Sequence, residues 1–289
     1  MNEQQAFEPA RGFDLFSIPE LTERSRYECE KRIRARCQNA YLGSDIALCR
    51  VLGRYKMFVD TNDRDMSPHL MFDGFWEFWV TEAVCELVKP GMVVADIGAN
   101  HGYFSLLMAE LVGPEGFVHA FEPNARLAKL VTQSLAVNGF GERSEVNTVA
   151  LAGEDRVPMA LVIPPQQESK AYLEPWEGEL SEHAALVQTR RLDSEERWSQ
   201  IELAKVDVEG AEELLWAGAR GLLDSGTLKT VLLEFTAARY SDPAAFLDRL
   251  AAPGFTILRI DHVAGIVPTT HEELLARSPM EDVMLALRR

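Results

Sequence analysis

Val93-Val94-Ala95-Asp96-Ile97-Gly98-Ala99-Asn100-His101-Gly102-Tyr103-Phe104-Ser105 is an apolar run that takes in an acid, turns through glycine and re-enters a helical pattern. A second run, Phe117-Val118-His119-Ala120-Phe121, ends in Glu122-Pro123-Asn124, with Glu122 twenty residues beyond Gly102. Strand, glycine turn, helix, strand, acid is the layout that binds a nucleoside-bearing cofactor in an open α/β sheet. Glycine suits such a turn because it tolerates positive φ and has no side chain to block a ligand. The helix that follows presents unpaired N–H groups at its start.

Spacing within the turn discriminates among cofactors. The dinucleotide fingerprint G-x-G-x-x-G seats a pyrophosphate on the helix N-terminus. Here Gly98 and Gly102 are spaced G-x-x-x-G with Asn100 between them, and Asp96 lies two residues before the first glycine. A carboxylate at that place repels a pyrophosphate and suits a cationic amine. S-adenosylmethionine meets these demands, with an ammonium, a sulfonium, a ribose diol and no phosphate. Asp96, Gly98, Asn100 and Gly102 are read as the cradle of its methionine end. Glu122 is read as the anchor that accepts both ribose hydroxyls. The plain alternative is a glycine kept for turn geometry alone.

Composition narrows the class. A chain of 289 residues with 47% hydrophobic content can bury a substantial core. The net charge of −16 argues against a nucleic-acid binder, which needs a basic surface. Residues 11–54 carry nine Lys/Arg against six Asp/Glu, an excess small enough to read as a solvated helix face. Residues 151–226 carry seven against sixteen. Cys29, Cys37, Cys49 and Cys85 have no C-x-x-C spacing, so no zinc site is expected. The first eleven residues lack a signal-peptide core and no apolar run reaches membrane-spanning length, so a cytoplasmic setting is expected.

Along the chain, residues 1–20 read as a loose arm and 20–41 as one or two amphipathic helices. Residues 44–73 read only as a cap or connector. The aromatic run Phe72, Phe75, Trp76, Phe78 and Trp79 leads into a helix over 76–88; it can line an acceptor pocket, although packing on the sheet is the plainer role for Phe78 and Trp79. Strands are expected near 92–97, 117–121, 144–149, 157–163, 186–192, 202–207, 229–235 and 255–261. Helices are expected near 103–112, 124–138, 210–224 and 242–251. An acidic segment, 164–183, with Tyr172 and Trp176, reads as a substrate lid. Val283-Met284-Leu285-Ala286-Leu287 reads as a final strand able to enter antiparallel. The alternation implies a mostly parallel sheet covered on both faces. Two units follow: an N-terminal, partly helical extension over 1–73 and a cofactor-binding domain over 74–289.

A second constellation, Lys205-Val206-Asp207-Val208-Glu209-Gly210-Ala211-Glu212, ends a predicted strand. Ligands in such sheets bind outside the carboxyl ends of the strands, so Asp207 and Glu209 face the crevice of Asp96 and Glu122. Glu234 ends the next strand. These three carboxylates can deprotonate a hydroxyl, grip a polar substrate or hold a divalent metal. The plain reading of Glu209 is a cap on the following helix.

The set Asp96-Ile-Gly-Ala-Asn-His-Gly-Tyr-Phe-Ser105, Ala120-Phe-Glu-Pro-Asn124, Arg191-Leu-Asp193 and Lys205-Val-Asp-Val-Glu-Gly-Ala-Glu212 resembles the FkbM family of S-adenosylmethionine-dependent methyltransferases over roughly residues 74–236. The resemblance implies a class I methyltransferase fold, a Rossmann-like seven-stranded sheet with an antiparallel last strand. It implies O-methyl transfer to a hydroxyl of a sugar, glycan or natural product. Gly74-Phe-Trp-Glu77 is similar to the family's element before the core, which closes over the methionine end. By resemblance the cofactor-binding set is Glu77, Asp96, Gly98, Ala99, Asn100, Gly102, Tyr103, Glu122, Pro123 and Asp207.

The expected base is Asp207 or Glu209, with Glu234 shaping the pocket. His101, His183 and His262 are rivals, His101 with a local role in the turn. No metal site is predicted, although Mg²⁺ on the three carboxylates would acidify a substrate diol. Two other readings compete. One is an NAD-linked oxidoreductase, disfavoured by the missing G-x-G and by Asp96. The other is a non-catalytic binding protein, which has no reason to keep four strand-end acids. The expected partner is a small-molecule or glycan acceptor, with the N-terminal extension serving as a cap or a homo-oligomer contact.

Overall fold

The computed structural model describes residues 14–289; the first part of the arm expected over 1–20 lies outside the described residues. The N-terminal part has two short helices, α1 (Glu20–Glu23) and α2 (Arg26–Arg34), then strands β1 (Asn39–Gly43), β2 (Ile46–Val51) and β3 (Tyr55–Asp60), then helix α3 (Met66–Phe72). The three strands form an antiparallel meander, a structure the connector reading of 44–73 did not contain. Its β2–β3 connection is the three-residue turn Leu52-Gly53-Arg54 between the paired residues Val51 and Tyr55, with Leu52 and Gly53 at positive φ.

The sheet expected from the alternation follows. Helix α4 (Phe78–Leu87) leads into β4 (Val93–Ile97), α5 (Tyr103–Leu111), β5 (Phe117–Phe121), α6 (Ala125–Val137) and β6 (Ser144–Asn147). An excursion then forms a second sheet from β7 (Ala150–Leu151), β8 (Pro158–Val162), β9 (Tyr172–Pro175) and β10 (Ala184–Arg190). The chain returns with β11 (Leu203–Val206), α7 (Glu212–Ala217), α8 (Arg220–Ser225), β12 (Thr230–Phe235), α9 (Pro243–Ala251), β13 (Thr256–Asp261), β14 (Gly265–Pro268), α10 (His271–Leu275) and β15 (Val283–Arg288).

The main sheet runs β14-β13-β15-β12-β11-β4-β5-β6. From β12 through β6 the neighbours are parallel, and β15 enters antiparallel between β12 and β13. The seven expected strands are present, and β14 adds an eighth at the edge as a hairpin partner of β13. Strand order reverses at β4, which places the ligand crevice at the carboxyl ends of β4, β5 and β11.

Two further elements differ from expectation. The single helix over 210–224 is broken into α7 and α8 at Gly218. A Cβ at Gly218 would stand 2.0 Å from the Ala152 carbonyl oxygen, so the chain packs there as glycine and turns. Asp193 then accepts the Gly221 N–H at 2.8 Å, which gives the Arg191-Leu-Asp193 motif a part in the fold. Segment 164–183 is not an open loop: it holds a short 3₁₀ turn, Glu168–Lys170, and β9.

Apolar side chains of alternate strand positions divide the core between the two faces of the sheet. One cluster joins Val94, Val118, Leu203 and Leu232 to α4, α5 and α6. The other joins Ala95, Phe121, Val206 and Leu233 to α7, α8 and α9. Phe16, Leu21, Ile33, Met57 and Leu70 of the N-terminal part belong to the first cluster. Ile33→Ala should therefore cost as much as Leu107→Ala, about 2–5 kcal/mol each. Urea unfolding should show one transition for both variants; an early separate transition for Ile33→Ala would show that the N-terminal part unfolds on its own.

Candidate active site

The ends of β4 and β11 are held by one buried cation. Lys205 is 3% exposed. Its ammonium donates to Asp207 Oδ2 at 3.0 Å and to the Gly98 carbonyl at 3.3 Å, and lies 3.9 Å from Asp96 Oδ1. Burial alone would discharge the amine; the Asp207 and Asp96 carboxylates outweigh it and hold the proton on. Asp96 also accepts the Ser105 hydroxyl, and it lies wholly inside the protein.

Gly98 has φ +75°, and a Cβ there would stand 1.8 Å from the Asp207 carbonyl oxygen. Only glycine lets the turn close against the end of β11. Asn100 takes a left-handed conformation, φ +52°, which asparagine tolerates better than most residues. Its N–H thereby donates to Glu122 Oε2 at 2.8 Å, while the Asn124 N–H donates to Oε1 at 2.8 Å. Each Glu122 oxygen keeps a lone pair for a further donor. His101 is buried and bridges Asn100 Oδ1 (2.6 Å) and Ser67 Oγ (3.2 Å), the local role expected of it.

Two cavities open at these strand ends. The first is walled by Val149, Leu151, Leu161, Leu173 and Val208, with Glu122 and Pro123 also lining it. The second, about 270 Å³, is lined by Trp76, Glu77, Ala99, Tyr103, Lys205, Asp207, Glu209, Glu234 and Asp282. Gly98, Asn100, Ser169, Asp207 and Glu209 line both, so the two form one crevice. The segment after β8 lies along it. Asn100 donates to the Ser169 carbonyl at 3.3 Å, and Ser169 Oγ donates to Asp63 at 3.0 Å. Glu168, Ser169 and Leu173 thus wall the crevice, whereas Trp176 is on the surface and lines neither cavity.

The second motif is shaped by Glu212. Its carboxylate accepts from the Val208 and Gly210 N–H groups and from Tyr240 Oη, at 2.9–3.3 Å. Glu212, not Glu209, therefore satisfies the turn before α7. Glu209 sits at φ +52°, a strained conformation for this residue, and its carboxylate pairs with Arg239. Arg239 also pairs with Glu234 and so forks between the two acids. Asp207, Glu209 and Glu234 bring carboxylate oxygens within 4.8 Å of one another, close enough to share a cation.

Negative charge is in excess here. Burial pushes Glu77 up to about 7, with Asp207 adding and Lys205 opposing. Burial likewise pushes Glu209 to about 7, again with Asp207 adding. Glu122 is raised to about 7 by burial against its two N–H donors. Burial and Asp207 together also raise Glu234. Glu77 Oε2 is shielded from solvent and has no hydrogen-bond partner.

Of the residues singled out from the sequence, Glu77, Gly98, Ala99, Asn100, Tyr103, Glu122, Pro123, Asp207, Glu209 and Glu234 line the crevice. Asp96 and Gly102 line neither cavity: Asp96 supports Lys205 from beneath, and Gly102 packs against Val131. Lys205 and Glu212 stand inside the quoted motif without having been given a role. Arg239 and Asp282 lie where no motif pointed to them. The arrangement fits S-adenosylmethionine: an apolar slot beside Glu122 suits a nucleoside, and the unpartnered Glu77 oxygen suits a cationic end.

Comparison with known proteins gives the family. Residues 96–257 match the methyltransferase FkbM domain. A 70-residue stretch is 40% identical to protein-L-isoaspartate O-methyltransferase of Aeropyrum pernix, covering 24% of this chain and 26% of that protein. A 67-residue stretch is 34% identical to the enzyme of the same name from Ignicoccus hospitalis, covering 23% and 29%. The chain spans only about a quarter of the length of these curated relatives. Among solved structures, a SAM-dependent O-methyltransferase of Thermotoga maritima is 14% identical with a TM-score of 0.42, covering 84% of this chain and 77% of that one. A precorrin-6y C5,15-methyltransferase of Geobacter metallireducens is 12% identical with a TM-score of 0.40, covering 74% and 89%. The family match takes in more than half of the chain and the strand ends that build the crevice, and the chain belongs to the FkbM family of S-adenosylmethionine-dependent methyltransferases.

Proposed function

We propose that this chain transfers a methyl group to a hydroxyl oxygen of a sugar, glycan or natural product, forming an ether. The observation that carries the reading is a carboxyl group poised near neutrality, Glu209, on the wall common to both cavities. The curated relatives, matched over a quarter of their length, are O-methyltransferases by name. When bound, S-adenosylmethionine supplies an electrophilic methyl group on a sulfonium. The chain's own task is alignment and proton removal.

Glu122 would accept the ribose hydroxyls, and Glu77 would pair with the cationic methionine end. Glu209 takes the acceptor's hydroxyl proton. A base near 7 suits that work at neutral pH. Asp207 is the less able base, because Lys205, with its side chain 4% exposed, cannot withdraw from it. Arg239, 25% exposed, can move toward solvent as Glu209 becomes neutral. Glu234 shapes the polar pocket beside it.

Glu209→Gln should lower kcat by roughly 10²–10⁴-fold, with cofactor affinity changed less than threefold by about the usual calorimetric scatter; unchanged turnover would remove Glu209 as the base. Cofactor affinity should rise between pH 6 and 8, because Glu77, neutral below about 7, ionises across that range and its anion favours a cation. Glu77→Gln should weaken binding roughly tenfold, about 1.4 kcal/mol, and make the pH slope shallower; calorimetry at several pH values reads both. Turnover should survive EDTA, because Arg239 already bridges two of the three carboxylates a metal would use. Loss of activity restored by Mg²⁺ would reverse that assignment.

A further inference from the structure

A third cavity, about 360 Å³, opens on the far side of the carboxylates. It shares Glu77, Glu234 and Asp282 with the second cavity, so it adjoins the crevice that Glu209 lines. Its volume is within the range of about 300–1,000 Å³ usual for small-molecule sites. Its outer wall comes from the β13–β14 hairpin and the segment before β15. That wall uses Arg259, His262 and Arg277, all beyond the residues that match the family.

The wall is built rather than loose. Trp79 stacks on His262 with ring centroids 4.1 Å apart and planes 27° from parallel. Asp261 fixes the turn under His262 by accepting the Val263 and Ala264 N–H groups at 2.9 and 3.0 Å. Arg26, from α2, donates to the His262 carbonyl and pairs with Glu82 of α4. Arg259 and Arg277 are each held by a neighbouring acid, Asp261 and Glu281. Fixing side chains in advance lowers the entropy lost on binding.

The chemistry selects a class of ligand. An aromatic platform offers an apolar face, and the fixed arginines and carboxylates offer donors and acceptors around it. Both arginines carry their own counter-acid, so the wall offers no net positive charge for an anion. We propose that this cavity is the acceptor subsite and that it takes a neutral pyranose ring, stacked on the Trp79–His262 platform with one hydroxyl directed toward Glu209. The inference rests on the methyltransferase reading and deepens it: the acceptor is selected by residues 259–282 together with Trp79.

The test uses the full chain saturated with S-adenosylhomocysteine. Methyl α-D-glucopyranoside, methyl α-D-mannopyranoside and methyl α-L-rhamnopyranoside are added separately, and saturation-transfer NMR reads contact with the ring protons. At least one should bind. Trp79→Ala should weaken it at least tenfold and Trp79→Phe should restore most of the loss. Arg277→Ala, on the partly exposed rim, should weaken it severalfold and covers the case in which Trp79→Ala fails to fold. S-adenosylhomocysteine affinity should stay within twofold in every variant. No binding by any pyranoside to the loaded protein, or binding unchanged in both alanine variants, overturns the subsite. Failure of the wild-type chain to bind S-adenosylhomocysteine overturns the reading beneath it instead.

Discussion

The site depends on a buried ammonium. Lys205 Nζ reaches the end of its own strand at Asp207, the neighbouring strand at Asp96 and the cofactor turn at the Gly98 carbonyl. Removing water from a lysine is costly, and an isolated one would lose its proton. Two carboxylates at 3.0 and 3.9 Å reverse that outcome. The consequence is geometric. With β4 and β11 tied at their ends, the Asp207 carbonyl stands where a side chain at position 98 would be, and the turn must be glycine. The turn in turn delivers the Asn100 N–H to Glu122. One charge network thus sets the surroundings of Glu122 without touching it.

The same network leaves acid in surplus. Glu77, Glu122 and Glu209 are each raised to about 7, all chiefly by burial. A carboxyl whose folded value exceeds its unfolded value binds more protons when folded. The stability it contributes is full below about 4.5 and is lost as pH rises through about 7. As these groups ionise near neutral pH they destabilise the fold, and a cation placed beside them would offset that cost. Carboxyl groups raised in this way cluster at functional sites. Arg239 relieves part of the repulsion between Glu209 and Glu234, and Glu77 is left without a partner for one oxygen.

How much was legible in the sequence follows from which interactions are local. The strand–turn–helix at 93–111 and the second strand at 117–121 were readable because buried parallel strands are short apolar runs bounded by glycine and acid. Glu122, Asp207 and Glu234 were readable because strand ends face the crevice. The meander β1–β3 was not. Ile46 and Leu48 of β2 lie on the face opposite Ala47, Cys49 and Val51, so apolar residues on both faces erased the period of two. Its place two residues before Gly98 puts Asp96 beside the turn in sequence, yet strand pleating turns it inward to Ser105 and Lys205. Arg239 and Asp282 reach the site only through tertiary folding, from a short 3₁₀ turn and from the segment before β15. No spacing rule connects residues so far apart.

The structure divides the labour between what the family match covers and what lies beyond it. Residues 96–257 contain the Gly98–Gly102 turn, Glu122 and the carboxylates Asp207, Glu209 and Glu234. Glu77 and Trp79 stand before that span, and Arg259, His262, Arg277 and Asp282 stand after it. These flanking residues form the cavity that opens on the far side of the carboxylates. Binding energy gathered there would be remote from the crevice lined by Glu122 and Asp207, the kind of energy an enzyme can use for orientation. Arg26 ties the N-terminal part to the same wall through His262 and Glu82. The ion pairs that hold this wall, Arg259 with Asp261 and Arg277 with Glu281, involve neither Lys205 nor the strand ends it ties, so the two parts of the crevice are fixed by separate networks.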